Sequence, residues 1–251
     1  NGDMQVIPIS TRKTINSKGQ LYTIPQGFAL RIQKRQRAKH QILLAGHMDT
    51  VFSPSCPFQK ANRDKNRLIG PGVADMKGGL LVLWQALEVL ESSPWSENVG
   101  WEVLITPDEE TGSCGSFSLY EKASANKDLC LIFEPAFPDG SLVSSRKGSS
   151  NLAFIAKGKA AHAGRDFFSG KNAVTGLAQF LIELEKLSHQ DLGVSINIGE
   201  FHGGNAFNVV PDFAFAKVNI RTTNKEDEKA TKDSLKLLLQ KTQNSSQINI
   251  E

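Results

Sequence analysis

The order of apolar and polar positions divides the chain into two successive patterns. In the first, short apolar runs of strand length end on glycine, proline or acidic residues. Met4–Ser10 and Leu21–Ile32 have strand character around a turn at Asn16–Gly19, so residues 4–45 read as three strands, the last being Gln41–Ala45. Met76 to Leu90 reads as a helix with apolar Leu80, Leu81, Leu83, Trp84, Leu87 and Leu90. Glu97–Ile105 is then a strand, Phe117–Ala123 a short helix and Leu129–Glu134 another apolar strand. The second pattern begins after Ser144. Ser149–Lys157 alternates as a strand, Asn172–Ser188 is an amphipathic helix, and Gly193–Phe201 and Phe213–Arg221 are strands. Glu226–Lys241 is a second helix and Gln247–Ile250 a closing strand. That order, βαββαβ, is the ferredoxin-like split unit. The expected architecture is therefore α/β in two domains, residues 1–144 built on an α/β sheet and residues 145–251 ferredoxin-like.

The strand ends of the first pattern carry the chemistry. His47 and Asp49 follow the run Gln41–Ala45 in LLAGHMDT, at the carboxyl end of a strand, where open α/β sheets bind ligands. A Gly/Pro loop at residues 70–75, in GPGVADMKGG, delivers Asp75 to the mouth of the helix. Glu109 and Glu110 follow a strand in PDEETGS; adjacent carboxylates point different ways, so one can bind a metal while the other faces a reacting water. Glu134 ends Leu129–Glu134. A lone acid after a strand is ordinarily a loop or cap residue. One histidine and three acids, His47, Asp75, Glu110 and Glu134, at successive element ends on one sheet edge instead make a ligand set suited to zinc and its neighbours.

Composition narrows the alternatives. A formal charge of +3 gives no argument for nucleic acid, and the one basic cluster, Lys34–Lys39, reads as a solvated hairpin or edge strand. No apolar run approaches the roughly 18 residues needed to span a bilayer, so no membrane partner is expected. Cys56, Cys114 and Cys130 are odd in number and lack metal-type spacing, which reads as free thiols and favours a reducing compartment. The cytoplasm is thus the expected location, with the periplasm the alternative. His40, His189 and His202 read as surface residues.

GHMDTVF, GPGVADMKGG, TPDEETGS and FEPA, in this order and spacing, resemble the M20 zinc exopeptidases, a group with glutamate carboxypeptidase, acetylornithine deacetylase and succinyl-diaminopimelate desuccinylase. HMDTVF and GGNAFNVVP bring the resemblance nearest to the glutamate carboxypeptidase branch, and it covers nearly the whole chain. The resemblance implies a site for two divalent ions, zinc with cobalt or manganese as alternatives. Asp75 would bridge them, His47 and Glu134 would sit on one, and Glu110 on the other. Asp49 would accept the second N–H of His47, and Glu109 would be the general base that takes a proton from a metal-activated water. A cis Asp75–Met76 peptide is implied as well. Residues 1–144 would be the first part of the catalytic domain, and residues 145–251 the lid, through which the protein forms a homodimer. His162, in GKAAHAG, would reach a partner subunit's site and donate to the oxyanion. Asn208 and Arg221 match substrate-binding positions; arginine suits the grip of a carboxylate, although a strand-edge arginine pairing with Asp212 is the plain alternative.

The implied reaction is hydrolysis of an amide beside a free carboxylate, on a peptide or an N-acyl amino acid, with release of a C-terminal, glutamate-like residue. An N-acyl amino acid deacetylase and a non-catalytic binding or dimerisation protein are the alternatives. The chain departs from the family pattern in showing no opening helix and no fifth, histidine ligand. The sheet domain therefore reads as incomplete, part of a longer enzyme, with little activity expected from these residues alone.

Overall fold

Gly27 sets the first departure from the expected pattern. Its φ of +90° is a conformation that favours glycine, and it divides Leu21–Ile32 into two strands. The computed structural model describes residues 2–16 and 19–251, so residues 17 and 18 of the expected Asn16–Gly19 turn lie outside the described residues. Its elements form two compact units, Asn1–Thr14 with Thr23–Leu142 and Ile15–Tyr22 with Val143–Glu251.

The opening strands are β1 (Asp3–Pro8), β2 (Arg12–Ile15), β3 (Leu21–Ile24), β4 (Phe28–Lys34) and β5 (His40–His47). They are followed by a small hairpin, β6 (Asn62–Asp64) and β7 (Arg67–Ile69), then α1 (Gly78–Glu91), β8 (Val99–Thr106), α2 (Phe117–Ser124) and β9 (Leu129–Ile132). Five strands make the main sheet of this unit in the order β1-β4-β8-β5-β9; β5 is parallel to both of its neighbours, β8 and β9. A parallel strand covered on both faces reads as a continuous apolar run, and β5 is buried from Leu43 through His47. Leu83 of α1 packs with Leu44, Trp101 and Val103. Ala123 of α2 packs with Ala29, Leu43 and Leu104, joined by Leu119 and Tyr120.

α1 begins at Gly78 rather than at Met76, because Asp75 and Met76 have non-helical dihedrals inside the turn Val73–Lys77. The Asp75–Met76 peptide is cis. Gly79 has no substitute here, since a Cβ on it would lie 1.8 Å from the Phe133 carbonyl oxygen. The basic stretch Lys34–Lys39, which begins on the last residue of β4, also differs from a merely solvated hairpin or edge strand. Lys34 and Arg35 both pair with Glu91, at the end of α1, and Trp101 Nε1 donates to the same carboxylate at 2.8 Å. Hydrogen bonding from Arg35, reinforced by Lys34 and Trp101, holds Glu91 well below the usual carboxylate range.

In the second unit β10 (Gly148–Lys157), β11 (Ala161–His162), α3 (Ala173–Glu185), β12 (Ser195–Gly203), β13 (Val209–Val210), β14 (Phe213–Thr222), α4 (Lys225–Ser246) and β15 (Asn249–Ile250) follow in order. Three antiparallel pairings give a four-stranded sheet β12-β14-β10-β15, the ferredoxin-like arrangement, and β11 pairs with β13 as a short ribbon. Leu177, Phe180, Leu181 and Leu184 of α3 bury against Phe154, Ile196, Ala216, Val218 and Ile220. The Phe154 and Phe180 rings meet edge to face at 4.9 Å. Polar side chains start both helices: Asn172 Oδ1 accepts the Thr175 N–H at 3.0 Å, and Asn224 Oδ1 accepts that of Asp227 at 2.8 Å. Asn172→Ala is expected to cost about 1 kcal/mol of stability, read as a lowered urea midpoint at unchanged slope. All three cysteines are free thiols, and among the described residues no helix is long and apolar enough to cross a membrane.

Candidate metal centre

The carboxyl ends of β5, β8 and β9 lie side by side, with His47 opposite Thr106 and Ala45 opposite Ile132. His47 is the last residue of β5 and is 1% exposed. Its main-chain N–H donates to the sulfur of Met76 at 3.1 Å, which ties the strand end to the turn that presents Asp75. The imidazole Nε2 stands 3.0 Å from Asp75 Oδ1 and 3.4 Å from Glu134 Oε1. Ligand-type atoms of His47, Asp75 and Glu134 all lie within 4.8 Å of one another.

The other ring nitrogen defines the tautomer. Nδ1 is 3.0 Å from the main-chain carbonyl of Asp49 and 3.4 Å from Asp49 Oδ1. A carbonyl only accepts, so Nδ1 donates to Asp49, and Nε2 is the ring nitrogen directed at the two carboxylates. The orienting acceptor nearest the ring is thus the Asp49 carbonyl. The Asp49 carboxylate has a second task, for Oδ1 accepts the Glu109 N–H at 3.2 Å and Oδ2 the Glu110 N–H at 3.0 Å.

Glu110 lies outside the three-residue group but within its field. Burial, then the negative charge of Asp75, pushes the Glu110 carboxyl above its ordinary pKa, with Glu109 and Asp49 adding to the effect against His47. Burial likewise raises Glu134, against the favourable charge of His47, and Asp75 and Glu109 raise it further. At His47, burial favours the neutral ring, but Asp75, Glu134, Asp49 and Glu109 outweigh it and hold the pKa above its ordinary value. Five carboxylates around one imidazole is an excess of negative charge that a divalent cation would relieve. The donor set, one nitrogen with carboxylate oxygens, fits such an ion.

Asp108 was not singled out by the sequence pattern. It is 1% exposed, and its Oδ2 accepts the main-chain N–H of Gly115 at 2.8 Å and of Ser116 at 3.2 Å, while Oδ1 accepts the Ser116 hydroxyl at 2.6 Å. Tyr120 and Thr106 were missed in the same way; their hydroxyls lie 2.9 Å apart. Nothing in the local sequence distinguishes Asp108 from the two acids after it, because its burial depends on α2 folding back over β8.

Within the second unit, His162 and Asn208 are brought together. The Ala163 N–H donates to the Asn208 carbonyl at 2.9 Å, beside the β11–β13 ribbon. His162 Nδ1 accepts the N–H groups of Gly164 at 3.1 Å and Arg165 at 3.2 Å, which leaves the proton on an exposed Nε2. Arg221 is not part of this group. It lies near the other end of β14, eight residues or about 26 Å along the strand from Phe213. Its Nε donates to Asn219 Oδ1 at 3.1 Å rather than to Asp212.

Comparison with known proteins follows the same division. The pattern of peptidase family M28 matches residues 29–165, and the M20 peptidase dimerisation domain matches residues 144–246. A probable carboxypeptidase of Aspergillus terreus is 35% identical over 203 residues, 73% of this chain and 45% of that protein. Carboxypeptidase G2 of a Pseudomonas species is 29% identical over 79% of this chain and 48% of its own length. The chain thus spans about half the length of these curated relatives. Among solved structures, a tripeptidase from Staphylococcus aureus superposes with a TM-score of 0.70 at 23% identity, over 90% of this chain and 60% of that one. The M28 pattern spans more than half of the chain and the M20 dimerisation-domain pattern most of the second unit, so the chain belongs with the M28- and M20-type metallopeptidases.

Proposed function

We propose that this chain carries the metal-binding and lid elements of a hydrolase that cleaves an amide next to a free carboxylate and releases a C-terminal, glutamate-like amino acid. The observation that supports this best is the convergence of His47, Asp75 and Glu134 within 4.8 Å of one another, beside Glu109 and Glu110. Two divalent ions, zinc with cobalt or manganese as alternatives, would be held by His47, Asp75, Glu110 and Glu134, and would supply Lewis acidity to the scissile carbonyl and acidify the attacking water.

The remaining roles belong to the chain's own groups. The Asp49 carbonyl keeps His47 in the tautomer whose Nε2 can serve as a ligand. Glu109, uncoordinated, takes a proton from the attacking water and passes it to the leaving amine. His162, with its proton on Nε2, donates to the oxygen on which negative charge develops. Asn208 orients the substrate and Arg221 grips its free carboxylate through two parallel hydrogen bonds. Because Arg221 and the His162–Asn208 pair lie far apart in one lid, a site using all three draws on two copies. A homodimer through residues 145–251 is therefore part of the reading, and the match to a peptidase dimerisation domain supports it.

Calorimetry of the intact protein with Zn²⁺ or Co²⁺, paired with hydrolysis of N-acyl-glutamate, tests the reading. His47→Ala and Asp75→Asn are each expected to weaken ion binding and to abolish turnover together. Unchanged ion affinity in both variants would remove the metal site. Faster hydrolysis of N-acetyl amino acids than of N-acyl-glutamate would move the assignment to the deacetylase branch.

A further inference from the structure

The segment from residue 108 to residue 116 forms a closed loop, and Asp108 closes it. Its main-chain carbonyl accepts the N–H of Thr111 at 3.3 Å and of Ser113 at 2.8 Å, winding a single turn through Glu109 and Glu110. Its carboxylate reaches forward to the start of α2 and takes three donors, the N–H of Gly115, the N–H of Ser116 and the Ser116 hydroxyl. Asp108 and Ser116 are both buried, at 1% and 0% exposure. No side chain fits at residue 115, where a Cβ would lie 2.4 Å from the Ser10 carbonyl oxygen and 3.1 Å from Asp108 Oδ2. The far end of the loop is in turn fixed to the core, since Ala123 of α2 is buried with Leu43 and Leu104 and Tyr120 is hydrogen-bonded to Thr106.

Three acids therefore stand in a row with three different tasks. Asp49 holds the main chain of Glu109 and Glu110 from the side of β5, and Asp108 holds the same turn from the side of α2. The two grips act on opposite ends of one turn, so the directions of both glutamate side chains are set by hydrogen bonds that neither of them makes. We infer that Asp108 is a positioning residue for the metal and proton-transfer groups: its carboxylate fixes the turn that aims Glu110 at the ion and keeps Glu109 off it. This rests on the metal-centre reading above. A carboxylate that orients ligands without touching the ion is worth about 10- to 100-fold in metal affinity in other sites. Asp108 does so through main-chain atoms instead of through a ligand's side chain.

The test compares Asp108→Asn and Ser116→Ala with the unaltered intact protein by Co²⁺ titration, reading affinity and the visible d–d absorption of the bound ion. Circular dichroism at the same temperature establishes that each protein is folded. Asn keeps the size of the side chain but turns one acceptor oxygen into a donor aimed at other donors. Asp108→Asn is expected to weaken Co²⁺ binding about 10- to 100-fold and to shift the d–d band, because the geometry at the ion changes. Ser116→Ala removes one of the three donors and is expected to give a smaller loss with a shift in the same sense. A purely structural Asp108 would lower the melting temperature and leave affinity and spectrum of the folded protein unchanged, which would overturn the inference. If Asp108→Asn does not fold, Ser116→Ala decides, and an unaltered spectrum there overturns it equally. An unaltered protein that takes up no Co²⁺ would overturn the metal-centre reading itself and the role of Asp108 with it. Normal uptake by all three proteins would overturn the role of Asp108 alone.

Discussion

Glu109→Gln is expected to lower the turnover number for amide hydrolysis by about 10²- to 10⁴-fold while leaving Zn²⁺ or Co²⁺ affinity close to that of the unaltered protein. The main chain around Glu109 is held independently of its side chain. Its N–H donates to Asp49 Oδ1 at 3.2 Å and its carbonyl accepts the Gly112 N–H at 2.7 Å. The amide of glutamine matches the carboxylate in size but cannot accept a proton at neutral pH, so the substitution removes proton transfer and little else. The side chain belongs to the charge cluster, for it contributes to the raised pKa values of His47, Glu110 and Glu134. It nevertheless stands apart from the His47–Asp75–Glu134 group. Steady-state kinetics should therefore show a fall in kcat with KM nearly constant. A variant that keeps its turnover within about tenfold of the unaltered protein would take general-base catalysis away from Glu109.

Glu102→Gln is expected to cost about 3–5 kcal/mol of folding stability. Glu102 is 2% exposed in the middle of β8. Its carboxylate receives Arg31 Nε at 2.6 Å, Gln33 Nε2 at 3.0 Å and Lys127 Nζ at 3.0 Å. Burial alone would raise its pKa, but the hydrogen bonds and charges of Arg31 and Lys127 outweigh burial and lower it. Neutralising the carboxylate leaves two cations around a site that excludes water. The sign of the pH dependence follows from the direction of the shift. A group whose pKa is lower in the folded chain than in the unfolded one, here below the ordinary 4.5, stabilises the fold fully above the unfolded value. The contribution is lost as the pH falls through the folded value. Urea denaturation at neutral pH should show the full gap between the two proteins, and the gap should narrow progressively below about pH 4.5. A gap that stays constant down to the acid limit would mean that the charge of Glu102 is not what stabilises β8.

Much of the fold is legible from local pattern because its helices and strands are amphipathic in the ordinary way. α3 shows a helical apolar face from Leu177 to Leu184, and β14 alternates against its neighbours. The cis peptide at Asp75–Met76 came from resemblance to a family, since no local rule of propensity points to it. What the pattern missed was decided by partners distant in sequence. Gly27 breaks a strand-like run through its own backbone angle, and α1 loses its first residues to the turn that presents Asp75. Lys34 and Arg35 read as solvated charges until Glu91, some 56 residues later, is placed beside them. At the candidate site the same distinction holds. Histidine and acids at strand ends are visible in the sequence, and the structure brings three of them together. The engagement of the Asp49 carboxylate with the main chain of Glu109 and Glu110 is not visible, because it joins loops 61 residues apart. The separation of Arg221 from Asn208, thirteen residues away along the sequence, depends on β14 running straight rather than turning back.

The two carboxylates that grip the acidic turn do so only through main-chain groups and the start of α2. The identity of the side chains at positions 109 and 110 is therefore free of any duty in shaping the turn itself. Such a segment behaves as a mount whose fittings are exchangeable: a thiol, an imidazole or an amide can be set at either position with the backbone course preserved. A change of side chain at these two positions thus leaves the course of the turn as it is, whereas any change at Asp49 or Asp108 moves both fittings at once.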